Sequence, residues 1–114
     1  MTDADGTSAT LRYAVLHHTG HGPPHYDLLF ETSPRSPLLT FRSPIWPVTG
    51  EAQLERLPDH RPMYLDYEGP VSDGRGEVRA VARGTCELSR DGSDIVVTFR
   101  KGADHQPLRI PAPA

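Results

Sequence analysis

Four of the six histidines of this chain fall within Leu16-His17-His18-Thr19-Gly20-His21-Gly22-Pro23-Pro24-His25-Tyr26-Asp27, which also carries an aspartate and runs directly into Leu28-Leu29-Phe30. Imidazole and carboxylate are the donors that borderline divalent ions such as zinc, manganese and iron prefer. Successive side chains alternate sides along an extended strand, so the two ends of His25-x-Asp27 point to one face and can reach one ion. A histidine from across the preceding loop completes three ligands, and His17, His18 and His21 are the rivals for that place. Three protein ligands leave coordination positions open for water or substrate, which is the arrangement of a catalytic metal. The competing reading is a polar surface turn whose histidines bind nothing.

A second dense polar segment, Leu57-Pro58-Asp59-His60-Arg61-Pro62-Met63-Tyr64-Leu65-Asp66-Tyr67-Glu68-Gly69, sets a histidine and an arginine together at a turn. The planar fork of arginine suits phosphate oxygens. A histidine that titrates near neutrality can hold a phosphate or move a proton during phosphoester cleavage. Here too the alternative is a solvated turn with surface ion pairs.

The elements that must position these residues read as short strands. Leu11 to His17 predicts a first strand ending at the histidine loop. If that strand continues, His17 and His18 point to opposite sides and only one of them can face a site. His25 to Glu31 predicts a second, with His25, Asp27, Leu29 and Glu31 on one face and Tyr26, Leu28 and Phe30 on the other. Leu38 to Arg42 is a third. A short helix is expected over Glu51 to Arg56, capped by Thr49 or Gly50 and stopped by Pro58. Met63 to Glu68 alternates as a strand, with Tyr64, Asp66 and Glu68 on one face. Gly76 to Gly84, Thr85 to Ser89 and Asp94 to Arg100 follow, the last two joined at the Asp91-Gly92 turn. Leu108 to Ile110 reads as a final short edge strand.

At 114 residues with twelve prolines and ten glycines, the expectation is one domain, mainly β. Its form would be a small antiparallel β-barrel over residues 11–110, with one or two short helices and a disordered tail at 1–10. No apolar run is long enough to span a membrane, and the N-terminus lacks the features of a signal peptide. The single cysteine, Cys86, excludes an internal disulfide and fits a reducing, cytoplasmic setting. A net charge of −3 argues against coating long duplex, yet a few local arginines suffice for one phosphate or one nucleic-acid end.

Together the two polar segments resemble the 3′-phosphoesterase domain of bacterial DNA ligase D and its stand-alone relatives. That family shows a metal-binding histidine, a short spacer, then His-Tyr-Asp leading a strand that ends in Glu; here these are His18, His25-Tyr26-Asp27 and Glu31. Its second block, Asp-His-Pro followed by Tyr and by Asp-aromatic-Glu-Gly, reads Asp59-His60-Arg61, Tyr64 and Asp66-Tyr67-Glu68-Gly69 at the same relative spacing. The similarity extends over most of residues 11–100.

The resemblance implies a β-barrel with a polar crater and a manganese-type ion, or zinc or another transition metal, held by His18, His25 and Asp27. It implies that His60, with Arg61 beside it, meets the scissile phosphate and that Tyr64 lends a supporting hydroxyl. Arg42, Arg56 and Glu31 are the positions it offers for binding substrate. The implied activity is removal of a 3′-terminal ribonucleoside or 3′-phosphate from a nucleic-acid end, or cleavage of a smaller phosphoester. Partners from DNA repair, a ligase or polymerase among them, would act in trans. The chain departs from the family at several points. The spacer before His25 is one residue longer, Leu29 stands where the family has an arginine, and no lysine lies between Phe41 and Trp46. The family arginine upstream of the second block falls near Ala52, with Arg56 as stand-in. A non-catalytic module that keeps the barrel and the ion and binds a nucleic-acid end or a partner is the alternative reading.

Overall fold

The computed structural model describes residues 10–100 and 107–112, so all of the expected N-terminal tail except Thr10 lies outside the described residues. The strands are β1 (Leu11–Thr19), β2 (His25–Glu31), β3 (Leu38–Ser43), β4 (Gly50–Glu51), β5 (Glu55–His60), β6 (Gly69–Pro70), β7 (Glu77–Asp91), β8 (Asp94–Phe99) and β9 (Leu108–Ile110). They form one sheet in the order β4-β9-β8-β7-β1-β2-β3-β5, with β6 on β7. All pairings are antiparallel except β4 with β9.

Chain connectivity requires this sheet to curl. Flat, the path from β4 to β5 would span about 34 Å at roughly 4.8 Å per strand. Yet β4 ends at Glu51 and β5 starts at Glu55, and that connection reaches at most about 14 Å. The two ends of the sheet are therefore drawn together into an incomplete barrel, and the fold is mainly β as the strand patterning predicts.

Period-two alternation sorts the side chains onto two faces. Tyr13 and Val15 of β1, Leu28 and Phe30 of β2, and Leu39 and Phe41 of β3 join residues of β8 and β9 in the main core. Because β8 and β9 contribute only to this cluster, it fills the inside of the curl. The opposite face of β1–β3 carries Ala14, Leu16, Leu29 and Leu38 in a second cluster, roofed by Leu65 and flanked by Val78. The segment from β5 to β7 crosses this face. Arg12 pairs with Asp66, Arg83 Nε donates to the Leu65 carbonyl at 2.9 Å, and the Ala80 N–H donates to Glu68 at 2.8 Å.

Several elements differ from the sequence reading. In place of a helix over Glu51 to Arg56, Gly50 and Glu51 pair with Leu108 and Arg109, and Arg56 pairs with Phe41. A six-residue helix is marginal alone, whereas both halves of this stretch gain ladder bonds at the two sheet ends. Met63 to Glu68 does not form a strand. Pro62, pre-set at the first helical position, opens a 3-10 turn over Pro62–Leu65, the one helical element among the described residues. Tyr64, Asp66 and Glu68 consequently share no strand face. The segments Gly76 to Gly84 and Thr85 to Ser89 merge into the single fifteen-residue β7, with a bulge opposite Val15 and Leu16. The Leu108–Ile110 strand is not an edge, since β4 lies outside it. No helix among the described residues is long and apolar enough to cross a membrane.

Candidate metal centre

The β1–β2 hairpin builds the centre of the site. His18 and His25 are direct cross-strand partners, and Asp27 lies two residues further along β2 on the same face. All three are buried, and their ligand atoms lie within 4.8 Å of one another, a group that could hold a metal ion. The continuous β1 turns His17 to the other side, where its ring stacks on Tyr26 at 4.6 Å. His21 is exposed on the loop, its ring 6.2 Å from that of His18. Of the three rivals, His18 is the one placed with His25 and Asp27.

The partners of the outer ring nitrogens assign a tautomer to each neutral ring. His18 Nε2 is 2.6 Å from the Arg75 carbonyl, and His25 Nδ1 is 3.1 Å from the Pro23 carbonyl. A carbonyl only accepts, so both nitrogens donate. In neutral rings this leaves His18 Nδ1 and His25 Nε2 as bare lone pairs, and these face each other at 3.0 Å. Two lone pairs do not attract each other, and a cation between them would satisfy both. Outer-nitrogen bonds to backbone carbonyls of this kind fix the tautomer of metal-ligating histidines.

Asp27 supplies the matching charge. Its Oδ1 is buried and accepts no hydrogen bond among the described residues. It lies 3.7 Å from His25 Nε2 and 3.6 Å from Arg42 Nε, and Oδ2 lies 3.9 Å from His18 Nδ1. Two ligands each about 2.1 Å from one ion sit roughly 3.0–3.4 Å apart. The nitrogen pair already meets that spacing, and the carboxylate is within about 1 Å of it. The donor set fits a divalent ion.

A cavity of about 550 Å³ reaches His18 and Asp27 of this group, between the sheet and the crossing segment. Leu16, Leu57, Val71 and Val78 give it apolar walls, while His60, Arg61, Tyr64, Arg42 and Arg75 bring polar groups to it. His60 Nδ1 donates to the Pro58 carbonyl at 3.1 Å, leaving Nε2 free, and its ring meets the edge of Tyr64 at 5.8 Å. Among the described residues the Arg61 guanidinium has no hydrogen bond or ion pair. Arg42 Nε is buried without a hydrogen bond beside Asp27.

Two sequence-selected residues are not brought to the cavity. Arg56 lies on the opposite side of β5 from Leu57, paired with Asp59 at 2.7 Å and stacked over Phe41 at 5.8 Å. Glu31 is buried, and its carboxylate accepts the N–H groups of Arg12 at 2.7 Å and Arg35 at 3.1 Å, tying the β2–β3 turn to β1. Leu29 does share the face of His25 and Asp27, but it is sealed in the second apolar cluster rather than facing the cavity. Sequence reasoning missed Arg75. It lies in the Ser72-Asp73-Gly74-Arg75-Gly76 turn, and no local pattern signals that this turn folds back onto His18, 57 residues away. No family model matches the chain, and no curated protein matches it.

Proposed function

We propose that this chain is a metal-dependent phosphoesterase of the ligase D 3′-end-processing type. The observation that carries the reading is the convergence of His18 Nδ1, His25 Nε2 and a buried Asp27 oxygen that accepts no hydrogen bond, beside a cavity lined by His18, Asp27, His60, Arg61 and Arg42. A divalent ion, manganese in this reading, would be held by His18, His25 and Asp27 and would supply Lewis-acid polarisation of a phosphoryl oxygen. Arg61 and Arg42 offer guanidinium forks to the remaining phosphate oxygens. His60, oriented by its Nδ1–H bond to Pro58, presents Nε2 to the same group, and in its imidazolium form that nitrogen would donate to a phosphate oxygen or pass its proton to the leaving oxygen. Tyr64 braces that ring. The cavity volume lies within the range of small-molecule sites, about 300–1,000 Å³, which suits one terminal nucleotide or a smaller phosphoester rather than a length of duplex. DNA-repair proteins acting in trans are the partners this reading implies.

The test is cleavage of an end-labelled primer–template carrying one 3′-terminal ribonucleotide or a 3′-phosphate, with and without manganese. Manganese-dependent product that disappears in His60→Ala, while that variant still binds the ion, is the expected result. A second reading, a binding module without turnover, is favoured by the burial of Leu29, which leaves the cavity without the arginine of the resembled family. Retention of a 3′-phosphate oligonucleotide without product, in metal-loaded protein, would select it.

A further inference from the structure

The two candidate ligating histidines are held from different distances. His25 is fixed by Pro23, within its own hairpin, but His18 depends on a carbonyl delivered by the loop between β6 and β7. That delivery is governed by the residue after Arg75. Gly76 lies backbone to backbone against Thr19 and Gly20, the two residues that follow His18. A Cβ on Gly76 would sit 1.9 Å from the Thr19 carbonyl oxygen and 2.9 Å from the carbonyl carbons of Thr19 and Gly20. Gly76 also has φ +80°, a conformation that side chains disfavour. Its neighbour in the contact, Gly20, has φ +83° and would place a Cβ 3.1 Å from the Gly76 Cα. The loop is closed on itself as well. The Val71 N–H donates to the Gly76 carbonyl at 2.8 Å, and Arg75 Nε donates to the Ser72 carbonyl at 2.9 Å. Immediately beyond, Glu77 pairs with Thr19 and Val78 with His18.

We propose that Gly76 is a positioning residue of the metal centre. Its contact with Thr19 and Gly20 seats the Arg75 carbonyl on His18 Nε2 and so holds the Nδ1 lone pair toward His25 and Asp27. The inference rests on the metal-site reading above. Its chemical basis is that a neutral imidazole has one N–H. Without the Arg75 carbonyl that proton is free to sit on Nδ1, where it faces His25 Nε2 at 3.0 Å. The resulting His18–His25 hydrogen bond would occupy both nitrogens meant for the ion.

The experiment compares wild type, Gly76→Ala and Arg75→Ala. Long-range proton–nitrogen NMR reports the His18 tautomer in metal-free protein, calorimetric titration reports manganese affinity, and circular dichroism checks folding. Wild type is expected to hold the Nε2–H tautomer. Gly76→Ala is expected to populate Nδ1–H and to lose about 10–100-fold in manganese affinity, the usual scale for removing an outer-shell partner. Arg75→Ala keeps the carbonyl and the Gly76 contact and loses only the bond to Ser72, so it is expected to move both readouts far less than Gly76→Ala. Should Gly76→Ala fail to fold, Gly20→Ala imposes the milder 3.1 Å contact and should move both readouts in the same direction. Folded Gly76→Ala with the wild-type tautomer and affinity would overturn the inference while leaving the metal reading intact, whereas a wild-type Nδ1–H tautomer would overturn the inference and remove the lone-pair argument for the metal site with it. Wild type that takes up no manganese, yet shows the tautomer shift in Gly76→Ala, would refute the metal reading and keep the positioning of the ring.

Discussion

Replacing Asp27 with asparagine should separate stability from metal binding in opposite directions. In the metal-free protein the Asp27 side chain is almost fully buried at 6% exposure, and its Oδ1 accepts no hydrogen bond among the described residues. Arg42 Nε at 3.6 Å offsets part of that cost without reaching hydrogen-bond distance. A buried polar group left without a partner costs about 1–3 kcal/mol, and more when charged. Asparagine keeps the shape, removes the charge and can turn an amide N–H toward the imidazole lone pairs. Taking Arg42 into account, Asp27→Asn should stabilise the metal-free protein by about 1–2 kcal/mol. At roughly 4 °C per kcal/mol for a domain of this size, the gain in Tm is about 4–8 °C. Metal reverses the order. An ion present at one hundred times its Kd adds about 2.7 kcal/mol to the wild type, or roughly 11 °C, and nothing to a variant that cannot bind it. Melting curves of both proteins in chelator and in excess manganese decide the matter. A variant that melts at or below wild type in chelator, or that gains as much from manganese, would refute the reasoning.

Leu29→Arg, which would introduce the arginine that the resembled family carries, should instead unfold the domain or cost several kcal/mol. It forces a guanidinium into the cluster with Leu16, Leu38 and Leu65; a variant of wild-type Tm with raised turnover would contradict that packing argument. The Arg12 guanidinium holds the Asp66 carboxyl below its ordinary value of 3.8. A depressed carboxylate contributes stability above its unfolded value and loses it as pH falls through the folded one. Because the pair is exposed, Arg12→Ala should cost no more than about 1 kcal/mol at neutral pH. That difference should vanish in melts taken well below pH 3.8, and a difference that persists there would show that Arg12 acts through something other than the ion pair. Burial pushes the Cys86 thiol up to about 12, with the nearby carboxylates of Glu31 and Glu87 adding to the effect. The native protein should therefore resist thiol reagents at pH 8 and react only as it unfolds, so rapid labelling of folded protein would place Cys86 outside the core.

The strands that build the centre were legible because their alternation is strong. Tyr13 and Val15, then Leu28 and Phe30, give β1 and β2 one apolar face, and on β2 that assigns His25 and Asp27 to the other; His18 stayed one of three rivals because the first strand, expected to end at His17, runs on to Thr19. The segment from Gly50 to Glu68 misled in both directions. Its helical and strand patterns are local, whereas the outcome was decided by sheet ends meeting from distant parts of the chain and by Pro62 starting a turn. Arg56 and Glu31 have the right residue types for a site but are claimed by Asp59 and Phe41 and by the backbone of β1. Arg75 was invisible for the opposite reason: its contribution to the centre is a carbonyl, which every residue has, brought to His18 by a loop that packs backbone to backbone at Gly20 and Gly76.

The central claim is that His18, His25 and Asp27 bind a divalent ion, and calorimetric titration of metal-free protein with manganese tests it most directly. One ion per chain in the wild type, abolished in a His25→Ala variant that remains folded, is the predicted result. No uptake by the wild type, or undiminished uptake by the variant, would contradict it.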